Sequence, residues 1–308
     1  MRNLHDLPRF RDRFSHLYLE RCRVDQDSNG LVYHNADGDH SIPIGQISLL
    51  MLGPGSTITH AAIRVLAENA CLVTWVGEEG VRTYAHSTGA TFSARRLILQ
   101  AKLSSREDTR LEVAKRMYLK RFSGTALDNK SIEQLRGMEG LRVRKSYQDQ
   151  SKIWKILWDG RNYDQDDWFK ASAVNRCLST ANACLYGICH AAIVSAGYSA
   201  ALGFIHVGKM LSFVYDIADL YKTEVTIPLA FQLCSESEAN LEQRTRIACR
   251  SAFHDAKLMR RILPDIAEVL NAPDDLGETA EELEGKAITL ADGGTTGDFP
   301  GPLQQESA

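Results

Sequence analysis

Hydrophobic and polar positions follow two different periods along the chain. Between residues 13 and 86, short β-branched and aromatic runs alternate with turn signals such as Asp37-Gly38, a pattern typical of short strands. The predicted strands lie at 17–19, 31–33, 42–44, 47–52, 71–76 and 81–84. A single helical pattern at 60–69 interrupts them. The first part of the chain is therefore predicted to be rich in β-sheet.

From residue 94 to residue 270 the apolar positions recur every three to four residues, which predicts helices almost throughout. Pro273 and the acidic, glycine-containing sequence after it lack this pattern and indicate the end of packed structure. The predicted fold class is α+β. Its parts are a small β-rich N-terminal domain at 1–86, a linker at 87–93, a larger all-helical domain at 94–271 and an acidic disordered tail at 272–308.

One segment is long enough to raise the question of a membrane span. Residues 177–208 contain no Asp, Glu, Lys or Arg, and their number exceeds the roughly 20 residues that cross a bilayer. Polar residues such as Asn182 and His190 interrupt the segment, and Gly197 and Gly203 indicate that a helix ends partway. We therefore expect a helix buried inside the helical domain.

Cysteine usage and the N-terminus bear on the compartment. The seven cysteines are scattered and never spaced C-x-x-C, which favours buried thiols in a reducing cytoplasm over disulfides or zinc. The first residues contain no apolar run of the kind found in signal peptides. The expected location is the cytoplasm.

The net charge of −3 hides two opposed parts. Residues 272–308 carry a net charge of −8, so the remainder carries +5. The first helical stretch, 94–121, contains nine bases and three acids. Such a stretch is either a solvated helix face with internal ion pairs or a surface that binds a phosphate backbone.

Two acids stand out in an apolar helical run at 212–221. Asp216 and Asp219 are three residues apart and so share a helix face. Two neighbouring anions raise each other's pKa unless a cation lies beside them, which predicts a metal, a basic partner or solvent exposure. For Asp216 alone we favour a simpler interpretation, in which Ser212 caps the helix and Asp216 lies in its early turns.

Two further residues could complete a metal site with Asp219. His206 lies between apolar residues and glycines just upstream, and Glu139 stands between two glycines. Each has a structural alternative, because a lone histidine is usually a core residue and Glu139 could pair with Arg136 and Arg142. Motifs for ATP, serine-hydrolase and nicotinamide chemistry are absent.

Three blocks in register resemble a known family. They are LRGMEGLR at 135–142, the pattern Asn-x-x-Leu-x-x-x-Asn-x-x-Leu-Tyr-Gly at 175–187, and GFIHVGKMLSFVYDIAD at 203–219. Together they are similar to the signature blocks of the CRISPR-associated integrase family Cas1, most of all to the subtype that accompanies Cascade, type I-E. The resemblance covers about residues 10 to 270 and leaves out the acidic tail.

The resemblance implies a β-sandwich-like N-terminal domain that dimerises and a helical catalytic domain. It also implies a homodimer that joins a small partner, Cas2, in a heterohexamer of two Cas1 dimers around one Cas2 dimer. The implied reaction inserts protospacer DNA into a CRISPR array, where a 3′-hydroxyl of the fragment attacks a phosphodiester at the repeat boundary. Metal-dependent nuclease activity on branched DNA would accompany it.

Carried over residue by residue, the resemblance places the metal ligands on Glu139, His206 and Asp219, with Asp216 as a second catalytic acid. Two carboxylates and an imidazole suit Mg²⁺ or Mn²⁺. The candidates for DNA binding are Arg64, Arg82, Arg95, Arg96, Tyr186, Lys209, Arg246 and Arg250. Lys209 could instead be a plain surface lysine and Tyr186 a core residue. A stand-alone nuclease that uses water and a non-catalytic DNA-binding scaffold remain alternative functions.

Overall fold

The computed structural model describes residues 16–27, 30–47, 49–69, 71–77, 83–87, 94–122, 130–161 and 171–272. Within these residues the strands all precede the long helices. The α+β fold class predicted from the sequence is confirmed. The predicted acidic tail lies outside the described residues from position 273 onward, and the domain boundaries remain a proposal.

Two four-stranded sheets form the N-terminal part. One has the order β1-β5-β7-β8, in which β1, β5 and β7 are parallel and β8 is antiparallel to β7. The other has the order β4-β3-β2-β6, with an antiparallel β2-β3-β4 meander. The strands are β1 Leu17–Leu19, β2 Arg23–Asp27, β3 Gly30–Asn35, β4 Gly38–Ile42, β5 Leu49–Leu52, β6 Thr57–Ile58, β7 Leu72–Val76 and β8 Thr83–His86.

Two strands escaped the sequence pattern. Strand β2 has the sequence RVDQD, in which Val24 alone is apolar and buried, so no alternation marks it. Strand β6 has only two residues. The predicted run at 42–44 is wrong in part, because β4 ends at Ile42 and a 3₁₀ turn, Ile44–Gln46, follows Pro43. Proline lacks the N–H that a strand ladder needs, which explains the stop.

One helix lies among the strands, as predicted. Helix α1 spans His60–Glu68, and the Thr59 side chain caps it by accepting the Ala62 N–H at 3.2 Å. Its Leu66 packs with Val24 of β2 and Leu50 of β5 in a core shared by the two sheets.

The helical part follows β8. Its helices are α2 Arg95–Ser105, α3 Glu107–Arg121, α4 Ile132–Trp154, α5 Ala173–Ser195, α6 Ser212–Ala218, α7 Ile227–Glu236, α8 Leu241–Asp255 and α9 Leu258–Leu270. The basic stretch read as one helix is two, because Arg106 adopts an extended backbone between α2 and α3. A π-helical turn, Lys222–Thr226, leads from α6 into α7.

Helix α5 is the centre of the main core. Its residues Leu185 and Ile188 pack with Leu49 and Met51 of β5 and with Phe213 of α6. By length and composition α5 could cross a membrane, but 83% of its apolar window is buried against the rest of the protein. It ends at Ser195, before Gly197 at φ +83°. The prediction of a buried helix that ends partway is confirmed.

His190 of α5 makes stability sensitive to acid. The residue is 2% exposed, its ring lies edge-on to His86 at 4.3 Å, and its Nε2 has no hydrogen-bond partner among the described residues. Burial, and to a lesser extent the neighbouring His86, lowers the pKa of His190 to about 4. The folded protein therefore disfavours the protonated ring. Above pH 6.5, where the ring is neutral in both the folded and the unfolded protein, His190 does not reduce the free energy of unfolding; as the pH falls toward 4, this free energy decreases.

We expect acidification from pH 6.5 to 4 to remove up to about 3 kcal/mol through this residue. Urea unfolding of the wild type and of His190→Leu across that range measures it. The variant should lose less stability in acid than the wild type. Parallel pH profiles would contradict the assignment.

Candidate metal and nucleic-acid site

Three helices bring two carboxylates to one guanidinium. Glu139 lies in α4, Asp219 directly follows α6, and Arg121 ends α3. Arg121 Nη1 forms an ion pair with Glu139 Oε1 and lies 3.8 Å from Asp219 Oδ2. The Arg121 side chain is only 3% exposed. The two acids are thus neighbours across a buried cation.

Each carboxylate has one further partner. The Tyr118 hydroxyl donates to Glu139 Oε2 at 2.9 Å, and Lys222 Nζ lies 2.6 Å from Asp219 Oδ1. The π turn after α6 places Lys222 three residues beyond Asp219 and beneath the ring of Tyr186, 4.8 Å from its centroid. Burial opposes the ionisation of Asp219, but the charges of Lys222 and then Arg121 outweigh it and hold its pKa below the ordinary value.

His206 lies in a loop whose backbone N–H groups donate hydrogen bonds to the Asp216 carboxylate. Asp216 is fully buried and accepts the backbone N–H groups of Phe204 at 2.6 Å, Ile205 at 3.1 Å and His206 at 2.9 Å. Its Oδ1 also lies 2.7 Å from His206 Nδ1. This hydrogen bond raises the pKa of His206, although burial works against it.

The bond to Asp216 sets the chemistry of the imidazole. In the neutral ring, a proton on Nδ1 leaves the lone pair on Nε2, and the His206 side chain is 41% exposed. A carboxylate behind a histidine is the usual arrangement at metal sites, where it fixes the tautomer and the ring orientation. Asp216 therefore lies behind His206, and its oxygens are engaged by the loop.

The early-turn interpretation of Asp216 needs a correction at Ser212. Helix α6 begins with Leu211 as its N-cap and has no side-chain capping bond. The Ser212 hydroxyl instead accepts the Lys209 N–H at 3.0 Å and donates to the Lys209 carbonyl at 2.8 Å. Ser212 thus closes the turn that carries Lys209.

The predicted salt bridges of Glu139 also need correction. Arg136 donates to the carbonyl of Ile205 and so ties α4 to the His206 loop. The Arg142 guanidinium lies 4.7 Å from the centre of the Phe122 ring. The ion-pair partner of Glu139 is Arg121, one of the bases in the stretch 94–121.

Sequence reasoning missed Tyr118, Arg121 and Lys222. Lys222 had a usable signal, because it follows Asp219 at the helical spacing of an ion pair. Tyr118 and Arg121 are on a different helix from Glu139, so no local spacing could connect them to it.

The segment before His206 is held as firmly as the loop itself. Gln100 of α2 is fully buried, donates to the carbonyls of Ser199 and Leu202 and accepts the Ser199 N–H. Next comes Gly203, where an added Cβ would lie 2.2 Å from the His206 carbonyl oxygen. No side chain fits at this position.

We expect Gly203→Ala to displace the His206 loop, because the new methyl group meets backbone. The expected loss of unfolding free energy is about 1–3 kcal/mol, with loss of any activity that needs His206. Gly30→Ala is the matched control, since an added Cβ at Gly30 meets nothing within 4 Å. Urea unfolding and a DNA cleavage assay on both variants test this, and wild-type behaviour of Gly203→Ala would refute it.

The residues present fit a divalent cation by their chemistry. Among the described residues no three His, Cys, Asp or Glu side chains lie close enough to hold a metal as they stand, and Arg121 lies between Glu139 and Asp219. Nevertheless, Asp219 Oδ1 is buried without a well-directed hydrogen bond, despite Lys222 at 2.6 Å. Two carboxylates and the Nε2 of His206 form a donor set that suits magnesium or manganese.

The candidate DNA-binding residues are spread over several surfaces. Tyr186 lies against Lys222, which contacts Asp219, and Lys209 is exposed three residues after His206. Arg246 and Arg250 line a separate cavity of about 500 Å³ beside Tyr18.

The remaining candidates lie elsewhere or outside the described residues. Arg64 is exposed on α1, and Arg95 is exposed at the start of α2. Arg96 donates to the carbonyl of Ala196 at 3.1 Å. Arg82 lies outside the described residues.

Comparison with known proteins gives one consistent result. The family model described as CRISPR associated protein Cas1 matches residues 16–126 and 117–264. CRISPR-associated endonuclease Cas1 2 of Thermus thermophilus is 46% identical over 281 residues, 91% of this chain and 86% of that protein. CRISPR-associated endonuclease Cas1 of Escherichia coli K12 is 41% identical over 263 residues, 85% of this chain and 86% of that protein.

Solved structures agree with these matches. The crystal structure of TtCas1 has a TM-score of 0.76 at 43% identity and covers 84% of this chain and 98% of that one. The crystal structure of a TtCas1-DNA complex has a TM-score of 0.64 at 45% identity and covers 87% of this chain and 100% of that one. A Cas6-RT-Cas1–Cas2 complex, at 16% identity and a TM-score of 0.59, matches 86% of this chain and 36% of that one and supports the fold alone.

Proposed function

The chain belongs to the Cas1 family of CRISPR-associated endonucleases, and on that premise we propose that it is a divalent-metal-dependent integrase of CRISPR adaptation. It inserts protospacer DNA into the CRISPR array by attack of a 3′-hydroxyl on a phosphodiester at the repeat boundary. The observation that carries the proposal is the meeting of Glu139 and Asp219 at the buried Arg121 guanidinium, with His206, hydrogen-bonded to Asp216, in the loop that precedes α6. Its signature blocks favour the type I-E subtype.

The site residues divide the work of this reaction. Glu139, Asp219 and the Nε2 of His206 would hold Mg²⁺ or Mn²⁺, which supplies charge neutralisation at the phosphate and activation of the attacking hydroxyl. Tyr118 fixes one oxygen of Glu139 by its hydrogen bond. Asp216 fixes the position of the loop through three backbone hydrogen bonds and the rotation of the imidazole through a fourth.

Two further residues would meet the DNA. Lys209 is exposed on the turn that follows His206 and that Ser212 closes, which supports a contact between its ammonium group and a phosphate near the reacting one. Tyr186, half-buried against Lys222, presents a phenol ring at the edge of the same site. Loss of a phosphate contact should weaken binding uniformly across DNA sequences.

We propose DNA and Cas2 as partners. The 45% identical TtCas1 was solved as a complex with DNA, which supports the first. A homodimer that joins Cas2 in a heterohexamer rests on the family resemblance. The β-rich part, at 1–86, would provide the dimer contact.

The decisive experiment uses a short duplex and a supercoiled plasmid that carries CRISPR repeats. The purified protein is incubated with both, with and without Cas2, in Mg²⁺ or Mn²⁺. Joined product supports integration. Linearised plasmid without joined product supports the alternative of a stand-alone nuclease that uses water, and binding without either product supports a scaffold.

Chelation tests the metal requirement in the same reaction. We expect EDTA to abolish joining and cleavage, because without a metal the carboxylates of Glu139 and Asp219 would repel the phosphate whose charge must be neutralised in the transition state. Added Mn²⁺ should restore the activity. Strand transfer that continues unchanged in EDTA would disprove the metal mechanism.

A further inference from the structure

The carboxylates of Glu139 and Asp219 already contact two positively charged side chains. Arg121 contacts both Glu139 and Asp219, and Lys222 contacts Asp219. Arg121 is 3% exposed and Lys222 is half-buried. Two negative charges are thus met by two positive charges inside the protein, and the local charge balances without any added ion.

This balance is required by the burial of the acids. Asp219 is 8% exposed, and Glu139 shares the same guanidinium nitrogen. Two carboxylates that close together in a medium of low dielectric repel strongly, so a site without a cation would drive them apart or protonate one. Arg121 is suited to the task because its guanidinium keeps its charge and presents several N–H donors in one plane.

The same contact sets a condition for metal binding. A divalent cation held by both carboxylates needs the space between them, where Arg121 Nη1 now lies, and it would add charge to a pocket already balanced. Because arginine does not give up its proton, it can yield only by moving. Its guanidinium carbon lies 5.1 Å from the centre of the Phe122 ring, beside a groove of about 330 Å³ that Arg121 itself lines. This groove is the space into which the side chain would move when it leaves Glu139.

We propose that Arg121 is the built-in counter-ion of the metal-free site. It holds Glu139 and Asp219 together before the metal arrives, and metal binding displaces it from Glu139. Arg121 is a positioning residue, since it acts through the two carboxylates. This role rests on the proposed function, in which those carboxylates are metal ligands.

The counter-ion role makes two linked predictions for Arg121→Gln. Without DNA, the variant should bind Mn²⁺ at least about tenfold more tightly than the wild type, because a competing positive charge is gone. Without metal it should unfold at a lower temperature, and Mn²⁺ should raise that temperature more than it does for the wild type. A residue that only supports packing would lower stability and would leave the affinity for Mn²⁺ unchanged or weaker.

The experiment titrates each protein with Mn²⁺ and measures the free ion by electron paramagnetic resonance, so no DNA or activity is involved. Arg144→Gln is the matched control, because Arg144 lies on the same helix as Glu139, is exposed and donates to the Gly140 carbonyl. Its Mn²⁺ affinity should equal that of the wild type. If Arg121→Gln does not fold, Arg121→Met replaces it; methionine keeps much of the length of the side chain without its charge, so Mn²⁺ should again bind more tightly than in the wild type.

Mn²⁺ binding by Glu139→Ala distinguishes a failure of the counter-ion role from a failure of the proposed metal site. Loss of Mn²⁺ binding in Glu139→Ala, with no gain in a folded Arg121 variant, overturns the counter-ion role and leaves the proposed function standing. Equal Mn²⁺ binding by Glu139→Ala and the wild type overturns the proposed metal site and the counter-ion role with it. A gain in the Arg121 variant together with a loss in Glu139→Ala is the expected result.

Discussion

Glu139→Gln is expected to lower DNA joining and cleavage by about a thousand-fold or more. Glutamine keeps the shape of the side chain and can still accept the Tyr118 hydroxyl, which lies 2.9 Å from Glu139 Oε2. It cannot supply the negative charge that the proposed metal requires. Joining of a labelled duplex into plasmid DNA measures the effect, and fluorescence anisotropy shows whether DNA binding persists.

The same substitution should also reduce stability, for a different reason. It leaves Arg121, with 3% of its side chain exposed, with Asp219 at 3.8 Å as its remaining anion. Removal of one partner of a buried ion pair costs about 3–5 kcal/mol, and we expect a loss near the lower end because Asp219 remains. Glu133→Gln, in the exposed first turn of the same helix, is the control and should change neither property. If Glu139→Gln joined DNA like the wild type, Glu139 would not be a ligand of the catalytic metal.

Asp216→Asn is expected to cost about 3 kcal/mol of unfolding free energy and to lower activity by about a hundred-fold. Each carboxylate oxygen accepts two donors: Oδ2 those of Phe204 and Ile205, and Oδ1 the backbone and ring N–H groups of His206. In asparagine an NH₂ group replaces one of these oxygens. Two N–H groups of the loop would then face the N–H donors of the amide and lose their acceptor. The loop would shift and the imidazole would lose its fixed rotation.

The ring of His206 reports this change directly. Because the hydrogen bond to Asp216 raises the pKa of His206 in the wild type, the pKa should fall toward the ordinary histidine value in Asp216→Asn. An NMR titration of the imidazole measures it. Asp25→Asn is a suitable control, since Asp25 accepts from Thr59 and the Gln26 N–H in the β-rich part. An unshifted His206 pKa in Asp216→Asn would rule out the positioning role of Asp216.

The sequence was most informative where structure is local. The run at 17–19, the helix near 60–69 and the buried helix inside 177–208 are confirmed within a few residues, because strand and helix periods depend on neighbouring residues. The family was also recognisable, since several signature blocks occur in register. Strand β2 was missed because its pairing with β3 stabilises it, and its single buried residue, Val24, leaves no pattern.

The site shows the same division. The sequence by itself determined which acids and which histidine are candidates, and Glu139, His206 and Asp219 remain predicted metal ligands. Only the tertiary structure decided that Asp216 lies behind His206 and that Arg121 lies between the two carboxylates. Spacing places residues on a helix face, whereas contacts between helices depend on how those helices pack. Arg121 ends one helix and Glu139 stands in the next, so their ion pair exists only once α3 and α4 have come together.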